Sequence, residues 1–221
     1  MSTYNFRSAC DEYRYLQDRG YPEKGALKLV ADRHRLGRTE RNSMFRGITA
    51  ASLAQDRRGK IVGQEAMAGS ALGIDWYNVL ITVESYLAGH AVFLCDDGMI
   101  RDSAAVHGSY RASSITPRAV AEIVAAVKAA GPSRVDAYVD APIAWSGRMA
   151  EEARAALAAA SARTDVVLVH SADYPLKKYD GIVASSDSTI MDRAVRIVDL
   201  AALVLRTVFD FTPPPVAELF P

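Results

Sequence analysis

Five short apolar segments of this chain each lead to an aspartate, whose carboxylate suits a hard divalent cation. The acids are Asp75, the pair Asp96 and Asp97, Asp140, Asp173 and Asp187. Short apolar runs between helical stretches are typical of buried strands in a parallel sheet. Active sites in such sheets lie where the strands end, here called the carboxyl edge. Because gathered carboxylates repel one another unless a cation neutralises them, the pattern predicts a Mg²⁺ or Mn²⁺ site.

Two of these segments carry further polar residues that suit a catalytic site. A strand ending at Asp75 is followed by Asn78 within the next helical turn, so one cavity can receive both side chains. A later strand ends in Ser185, Ser186 and Asp187, and a helix begins at once, where free N–H groups suit a phosphate oxygen. Asp187 has two interpretations, a metal ligand or the N-cap of that helix.

These motifs resemble those of the PIN-like nuclease superfamily, in particular its NYN branch. In that branch the first strand carries an Asp-Gly-Tyr-Asn-Val type motif and a late strand ends in Thr-Ser-Asp. This chain has Asp75-Trp76-Tyr77-Asn78-Val79 and Ser185-Ser186-Asp187 at the matching places. The resemblance implies metal-dependent hydrolysis of phosphodiester bonds, with Asp75 and Asp187 as metal ligands and Asp140 as the middle carboxylate. Asn78 and Ser186 would orient the ligands or the scissile phosphate.

The chain departs from that pattern in two places. Trp76 stands where glycine is usual, and no acid is placed in an early helix, for which Glu84 is the nearest candidate. Asp97 is a further predicted metal ligand, provided that its strand lies beside that of Asp75. A turn at Asp97-Gly98 explains the same acid by backbone chemistry alone.

The whole chain also resembles a prokaryotic family that is known by domain-of-unknown-function names. The matching segments include Arg19-Gly20-Tyr21-Pro22 in a helical N-terminal part, and Asp96-Asp97-Gly98 and Asp140-Ala141-Pro142 in the part that follows. This resemblance implies relatives and a two-part organisation, and it implies no activity.

The elements that would position these residues form an α/β domain over residues 72–210, with a mainly parallel, doubly wound sheet. Helices are predicted over Thr116–Ala130, Arg148–Ala162 and Thr189–Phe209. Residues 1–60 show helical periodicity throughout and form a small helical module, which a connector at 61–71 joins to the α/β domain. Residues 211–221 form a proline-rich tail that is expected to be extended and exposed.

The helical module is basic, with 13 Lys and Arg against 7 Asp and Glu, whereas the remaining chain has 13 against 19. Two helices joined by a tight turn resemble a helix-turn-helix. The arginines near the turn, and one at the end of the loop after Asp140, are predicted to contact nucleic-acid phosphates. They are Arg33, Arg38, Arg41, Arg46 and Arg148. Alternatively, they form the polar side of a helical cap and an ordinary helix surface. His107 lies in a loop that could touch substrate.

Other classes of function find little support. Gly-x-Gly-x-x-Gly and phosphate-loop patterns are missing, so a nucleotide cofactor is not predicted. No apolar stretch is long enough to span a membrane and no signal peptide is recognised, so a cytoplasmic location is expected. The sequence therefore predicts a divalent-metal-dependent nuclease, acting on RNA rather than DNA, and is compatible with a homo-oligomer. The alternative is a non-catalytic nucleic-acid-binding or regulatory protein with a degenerate PIN-like domain.

Overall fold

Helical and apolar extended segments alternate after residue 70, and they form a layered α/β arrangement in the computed structural model. The structure describes residues 5–104, 108, 110–160 and 163–220. The helices are α1 (Phe6–Asp18), α2 (Glu23–Arg33), α3 (Arg38–Gly47), α4 (Ala51–Arg58), α5 (Trp76–Leu87), α6 (Thr116–Ala130), α7 (Ser146–Leu157), α8 (Asp173–Leu176), α9 (Ser188–Met191) and α10 (Leu200–Phe209). The strands are β1 (Ala71–Asp75), β2 (Val92–Leu94), β3 (Ile100–Asp102), β4 (Arg134–Asp140), β5 (Thr164–Val169), β6 (Ile182–Ala184) and β7 (Arg196–Val198).

Internal contacts divide the chain into two units whose limits differ from the predicted domains. Unit 1 has the limits Met1–Gly59, His90–Ala105 and Pro213–Pro221, and unit 2 has the limits Lys60–Gly89 and Val106–Thr212. The segment around Asp97 and the C-terminal tail therefore belong with the helical module. Each unit is described by itself below.

Unit 2 is built on a parallel sheet, as the strand pattern predicts. In the described residues the sheet has five strands in the order β5-β4-β1-β6-β7. The chain moves from β1 through β4 to β5 on one side, and then returns to β6 and β7 on the other. The strand order therefore reverses between β1 and β6, where ligands bind in open α/β sheets of this kind. Asp75 lies at the end of β1, and Ser185 directly follows β6.

Close packing of β1 against the start of β6 depends on a glycine. A Cβ atom added at Gly181 would lie 2.5 Å from the Ala71 carbonyl oxygen, which is far inside van der Waals contact. Only glycine lets the two backbones approach this closely. In register, Leu72 lies opposite Ile182 and Ile74 opposite Ala184. Gly181 therefore helps to hold the two strand ends at the point of reversal.

The helices of unit 2 cover the sheet with their apolar faces. Helices α5, α6 and α10 pack against one another, and α7 packs on β4 and β5. The sequence correctly places α6, because Pro117 lies in its first turn and Gly131 follows it with φ 64°. The helix predicted over Arg148–Ala162 is α7, shifted slightly toward its N-terminus; Ala162 lies outside the described residues. Among the residues described, no helix is both long and apolar enough to cross a membrane.

The single helix predicted over Thr189–Phe209 is wrong, because β7 interrupts it. Helix α9 ends at Met191, and Arg196–Val198 pairs with β6 as an outer parallel strand. Apolar residues three or four positions apart fit a helix and also fit a short strand followed by a helix, so periodicity misled the prediction. The Asp199 carboxylate accepts a hydrogen bond from the Ala202 N–H at 2.8 Å and caps α10. That cap is the sequence feature that marks the true helix start.

The apolar run before Asp96 and Asp97 is not part of the parallel sheet, which corrects a second prediction. It forms β2, which pairs antiparallel with β3 in unit 1. Gly98 adopts φ 85° in the connecting turn. Antiparallel strands need only such a short turn, whereas parallel neighbours need a long crossover. The Asp97-Gly98 turn therefore decides the pairing.

Unit 1 has a small core of its own. Helix α1 buries the stripe that its sequence predicts, which includes Phe6, Cys10 and Tyr13. The C-terminal tail was expected to be exposed, yet Val216 is 2% exposed and packs in this core. The Leu94 N–H also donates to the Pro214 carbonyl at 2.9 Å, so the extended tail is held by backbone pairing. The side chain of Val216, which follows three prolines, therefore holds the tail in this core.

Candidate functional site

Asp75 occupies the junction between β1 and α5. It stands at the N-cap position of α5, but its side chain does not cap the helix. Its Oδ2 accepts a hydrogen bond from the Ser185 hydroxyl at 2.8 Å, and Asp75 is 4% exposed. Ser185 comes directly after β6, so this bond joins the ends of the two strands between which the strand order reverses. The sequence motif predicts Ser186 as a site residue and does not distinguish Ser185, which makes this bond.

Asn78, in the first turn of α5, makes a second link between the same elements. Its Oδ1 accepts from the Ser186 N–H at 2.8 Å and from the Ser186 hydroxyl at 3.0 Å. A helix that starts immediately after Asp75 points Asn78 back at the loop after β6. The structure therefore brings four predicted or neighbouring residues together in pairs, Asp75 with Ser185 and Asn78 with Ser186.

Asp187 caps α9, which is one of its two predicted roles. Its Oδ1 accepts from the Thr189 N–H at 2.8 Å, the Ile190 N–H at 3.2 Å and the Thr189 hydroxyl at 2.7 Å. These bonds satisfy N–H groups that a helix start otherwise leaves without partners. They engage one carboxylate oxygen, and the second Asp187 oxygen carries no hydrogen bond among the described contacts.

Asp173 is an acid of the carboxyl edge that was absent from the predicted site. Its Oδ2 lies 3.1 Å from the Thr189 hydroxyl and 2.9 Å from Lys177 Nζ. The Thr189 hydroxyl has a single hydrogen, so it can donate to Asp173 or to Asp187 but not to both. The two carboxylates are thus close neighbours, and Lys177 offsets part of their charge. The apolar run of β5 leading toward Asp173 is the feature that could have identified it.

Asp140 ends β4 at the same edge and is 8% exposed. Its Oδ1 accepts from the Ala172 N–H at 2.9 Å, which ties the loop after β4 to the loop after β5. Tyr77, in the first turn of α5, lies near enough to feel its charge. Burial, with a further contribution from Asp140, raises the pKa of Tyr77 to about 12. Tyr77 is therefore neutral at physiological pH.

These acids provide the hard oxygen donors that Mg²⁺ and Mn²⁺ prefer. Across the parts of the chain that the structure describes, however, no three His, Cys, Asp or Glu side chains form a group that could hold a metal ion. The carboxylate oxygens of these acids therefore suit a divalent cation, but the described residues do not form a complete metal site by themselves. Magnesium is commonly held by one or two carboxylates together with water and substrate phosphates, and the carboxyl edge fits that arrangement.

Asp97, the fourth predicted metal ligand, lies in unit 1 within a buried ion-pair cluster. It is 0% exposed. Arg101 binds it through two nitrogens, at 3.0 and 2.8 Å, and Arg57 Nη1 lies 3.3 Å from its Oδ2. Its Oδ1 also accepts from the Met99 N–H at 3.3 Å, as expected for an acid in a turn. The Asp97 carboxylate thus forms ion pairs with two buried guanidinium groups.

Most of the arginines predicted to bind substrate are paired with acids. Arg33 lies 3.6 Å from Glu12, Arg41 2.9 Å from Asp32, Arg46 3.1 Å from Asp102, and Arg148 2.8 Å from Glu152. Arg38, the first residue of α3, is exposed. The surface pairs are weak, whereas Asp102 is 2% exposed at its side chain and holds Arg46 more firmly.

Glu84, the candidate for the early-helix acid, lies in a polar network on α5. The hydroxyls of Thr116 and Tyr110 both lie within hydrogen-bonding distance of its Oε1, that of Tyr110 at 3.0 Å. Burial raises the pKa of Glu84, although these two bonds act in the opposite direction. The Tyr110 ring packs against Tyr77, with 5.0 Å between centroids. His107 lies outside the described residues.

The two cysteines do not supply a nucleophile. Cys10 and Cys95 are both free and buried. Burial raises the pKa of each to about 12, so both remain thiols at neutral pH. This agrees with the apolar setting that the sequence gives Cys95.

Comparison with known proteins identifies the family. The model of the family described as "Domain of unknown function (DUF5616)" matches residues 64–203, which is more than half of the chain. The chain belongs to this DUF5616 family. A second family model, described as "Protein of unknown function (DUF434)", matches residues 5–60. The two-part family predicted from the sequence is therefore confirmed, and neither family description names an activity.

The DUF5616 segment contains every carboxyl-edge residue described above, from Asp75 to Thr189. A full-length relative is an uncharacterized protein of Methanocaldococcus jannaschii, which is 30% identical over 200 residues, covering 90% of this chain and 95% of the relative. The helical part and the DUF5616 part thus occur together in that archaeal protein as well. No solved structure matches the chain.

Proposed function

We propose that this protein is a divalent-metal-dependent nuclease that hydrolyses phosphodiester bonds in single-stranded nucleic acid, with RNA preferred over DNA. The observation that carries the proposal is the hydrogen bond between Asp75 and Ser185 at the reversal of strand order. Together with the link between Asn78 and Ser186, it holds a buried carboxylate at the reversal of strand order, and open α/β sheets generally bind ligands at such a reversal. The PIN-like fold is part of the proposal and is supported by the strand order and by the acid at the end of β1.

Each residue of the edge has a defined part in this proposal. Asp75 supplies the principal negative charge, Asp140 and Asp187 supply further carboxylate oxygens, and Ser185 fixes the Asp75 carboxylate by donating its hydroxyl hydrogen. A divalent cation, when bound, supplies Lewis acidity toward the phosphodiester and eases deprotonation of the attacking water. Asn78 holds the Ser186 hydroxyl in place, so that the backbone after β6 keeps a fixed shape against the substrate phosphate.

Without a group of three metal ligands in the described residues, the proposal implies that cation and substrate bind together. Phosphate oxygens of the nucleic acid would complete a coordination shell that one or two carboxylates begin. Cation affinity is therefore expected to be weak for the free protein and to rise when an oligonucleotide is present. Such coupling is reciprocal, so the cation should tighten oligonucleotide binding by the same factor.

In the same proposal the helical module of unit 1 is helix-turn-helix-like and binds the sugar-phosphate backbone. Arg38 is exposed, and Arg33 and Arg41 lie in surface ion pairs that phosphate can displace. In unit 2, Arg148 follows the loop that leaves β4 and is also exposed. Binding by these residues should weaken steeply as salt concentration rises, since it depends on the release of counterions.

The test is cleavage of end-labelled single-stranded RNA and DNA, with Mn²⁺, Mg²⁺ or EDTA. The wild type is expected to cleave in the presence of either metal, and Asp75→Asn is expected to lose the activity by a factor of at least a hundred, as removal of a charge-stabilising group does. Asp165→Asn is the matched control, because Asp165 is an exposed acid near the opposite end of the same sheet. Intact substrates across the panel with manganese present would refute the proposal.

A second candidate is a nucleic-acid-binding protein without turnover. It is favoured by Asp187, whose Oδ1 is engaged as the cap of α9, and by the lack of a three-ligand group in the described residues. This candidate predicts that oligonucleotides bind with equal affinity in manganese and in EDTA and stay intact. Binding that depends on the cation, with or without slow turnover, would speak against it.

A further inference from the structure

Two large aromatic side chains of unit 2 are exposed to solvent on loops of the carboxyl edge. Trp145 is 78% exposed and Tyr174 is 71% exposed. The other tryptophan of the chain, Trp76, is fully buried. Aromatic rings contribute most to stability when they are buried, so leaving two of them in water at one edge costs folding energy. Both rings are therefore available to a ligand at this edge.

The two rings are carried by neighbouring loops whose bases are hydrogen-bonded together. Trp145 lies between β4 and α7, and Tyr174 lies in α8, after β5. Because β4 and β5 are adjacent and parallel, both loops leave the same edge of the sheet. The Asp140 carboxylate accepts from the Ala172 N–H at 2.9 Å, and the Ala141 N–H donates to the Val169 carbonyl at 2.7 Å. The bases of the loops are therefore fixed with respect to each other.

Trp145 is also held in an unusual backbone conformation. Its φ of 65° and ψ of 20° lie in the left-handed region, which bulky residues rarely occupy. The Ser146 hydroxyl donates to the Ala141 carbonyl at 2.9 Å, and this bond closes the loop around that conformation. Residues held in such regions cluster at binding sites, where the fold presents a side chain at a set angle. Here the residue that adopts this conformation also exposes its indole to solvent.

Positive charge accompanies the rings. Lys178 Nζ lies 4.5 Å from the centroid of the Tyr174 ring, and Arg148 lies one turn beyond Trp145 on α7. Aromatic faces next to cations are the combination by which proteins bind single-stranded nucleic acid, since bases stack on the rings and phosphates meet the charges. Paired bases do not offer their faces for such stacking.

We propose that Trp145 and Tyr174 form a stacking platform for unpaired bases of single-stranded nucleic acid, beside the acids of the carboxyl edge. This inference rests on the proposed function, for which it names the stacking of unpaired bases as the means by which the substrate is placed. The platform holds bases on the loops after β4 and β5, and the adjoining backbone then runs toward Asp75 and Asp187. Recognition by stacking tolerates many sequences, because every base has a flat face.

Tryptophan fluorescence in EDTA tests the platform without requiring catalysis. Short oligouridylate or oligothymidylate is expected to quench the emission of Trp145, while the emission of buried Trp76 persists. Trp145→Ala and Tyr174→Ala should each weaken binding roughly tenfold or more, as loss of a stacked base does. Trp145→Phe should stay within a few-fold of the wild type. Val195→Ala is the control that should leave binding unchanged, because Val195 is an exposed apolar residue of unit 2 directly before β7, at the opposite edge of the sheet.

Several results would overturn the platform. The first is a tryptophan emission that stays unchanged at saturating oligonucleotide. The second is an oligonucleotide affinity of Trp145→Ala that equals that of the wild type. The third is quenching by a duplex that is as strong as quenching by a single strand of the same sequence. The affinity of Tyr174→Ala for a labelled oligonucleotide, measured by fluorescence anisotropy, is a second test that does not depend on tryptophan emission. Quenching without cleavage in manganese would support the platform and refute the nuclease. Cleavage without quenching would refute the platform alone.

Discussion

Asn78 accepts two hydrogen bonds from Ser186, a residue 108 positions away, one from its N–H at 2.8 Å and one from its hydroxyl at 3.0 Å. This single amide oxygen joins the first turn of α5 to the loop after β6. Asp75 and Ser185, which lie close to this pair in the chain, are hydrogen-bonded to each other. The two contacts together fix the centre of the carboxyl edge.

The contribution of that link can be measured with a double-mutant cycle. Ser186→Ala removes the hydroxyl bond, Asn78→Ala removes both bonds, and the double variant closes the cycle. A coupling of about 0.5–1.5 kcal/mol in the free energy of unfolding is expected, the usual net value of a hydrogen bond. Urea unfolding followed by circular dichroism gives the four values. Strictly additive effects would show that the bond from the Ser186 hydroxyl to Asn78 contributes no stability.

The two roles of Asp187 can be separated by two substitutions. Asp187→Asn keeps an oxygen that caps α9 but loses the charge, so stability should be nearly unchanged while nuclease activity falls. Asp187→Ala also loses the cap and should lower the free energy of unfolding by about 1 kcal/mol. Thermal melts and cleavage assays on both variants decide the matter. Full activity in Asp187→Asn would reduce this residue to a cap.

Asp97 is expected to stabilise unit 1 rather than to bind metal. Removing its charge leaves Arg57 and Arg101 buried without their shared partner, so Asp97→Asn should cost about 3–5 kcal/mol of stability. Asp56→Asn, at an exposed site on α4 of the same unit, should change stability little. The measurement is chemical denaturation. A stable Asp97→Asn variant with weakened manganese binding would favour the metal-ligand prediction instead.

Glu84 should make stability fall as pH rises above its ordinary pKa of 4.5. Burial raises its pKa in the folded state, so the folded protein binds the proton more tightly than the unfolded chain does. The stability that protonated Glu84 contributes is therefore complete below 4.5 and is lost as pH rises through the higher folded pKa. Glu84→Gln cannot titrate and serves as the reference. The difference in unfolding free energy, wild type minus variant, should decline as pH rises above 4.5; a constant or rising difference would contradict this.

Much of the carboxyl edge is predictable because parallel strands end at a common edge. The strands before Asp75, Asp140 and Asp187 follow from their apolar runs, and α6 follows from Pro117 and Gly131. Which of these side chains hydrogen-bond to each other is not predictable in this way. Ser185 and Ser186 are chemically alike, and only the three-dimensional path after β6 decides that the first meets Asp75 and the second meets Asn78.

The failures have equally local causes. The run before Asp97 is apolar enough for a buried parallel strand, but the short connection through residues 95–99 gave it the closer antiparallel partner β3. The three residues of β7 are too few to show alternation against a helical background. Val216 is buried by residues far away in the sequence, so the sequence of the tail alone does not predict its burial.

The central claim is that the reversal of strand order between β1 and β6 holds a divalent cation when nucleic acid is bound. Anomalous diffraction from a crystal grown with Mn²⁺ and a short single-stranded oligonucleotide tests this most directly. We predict a manganese peak within coordinating distance of the Asp75 carboxylate, shared with a phosphate oxygen. An ordered oligonucleotide with no manganese at this edge would contradict the claim.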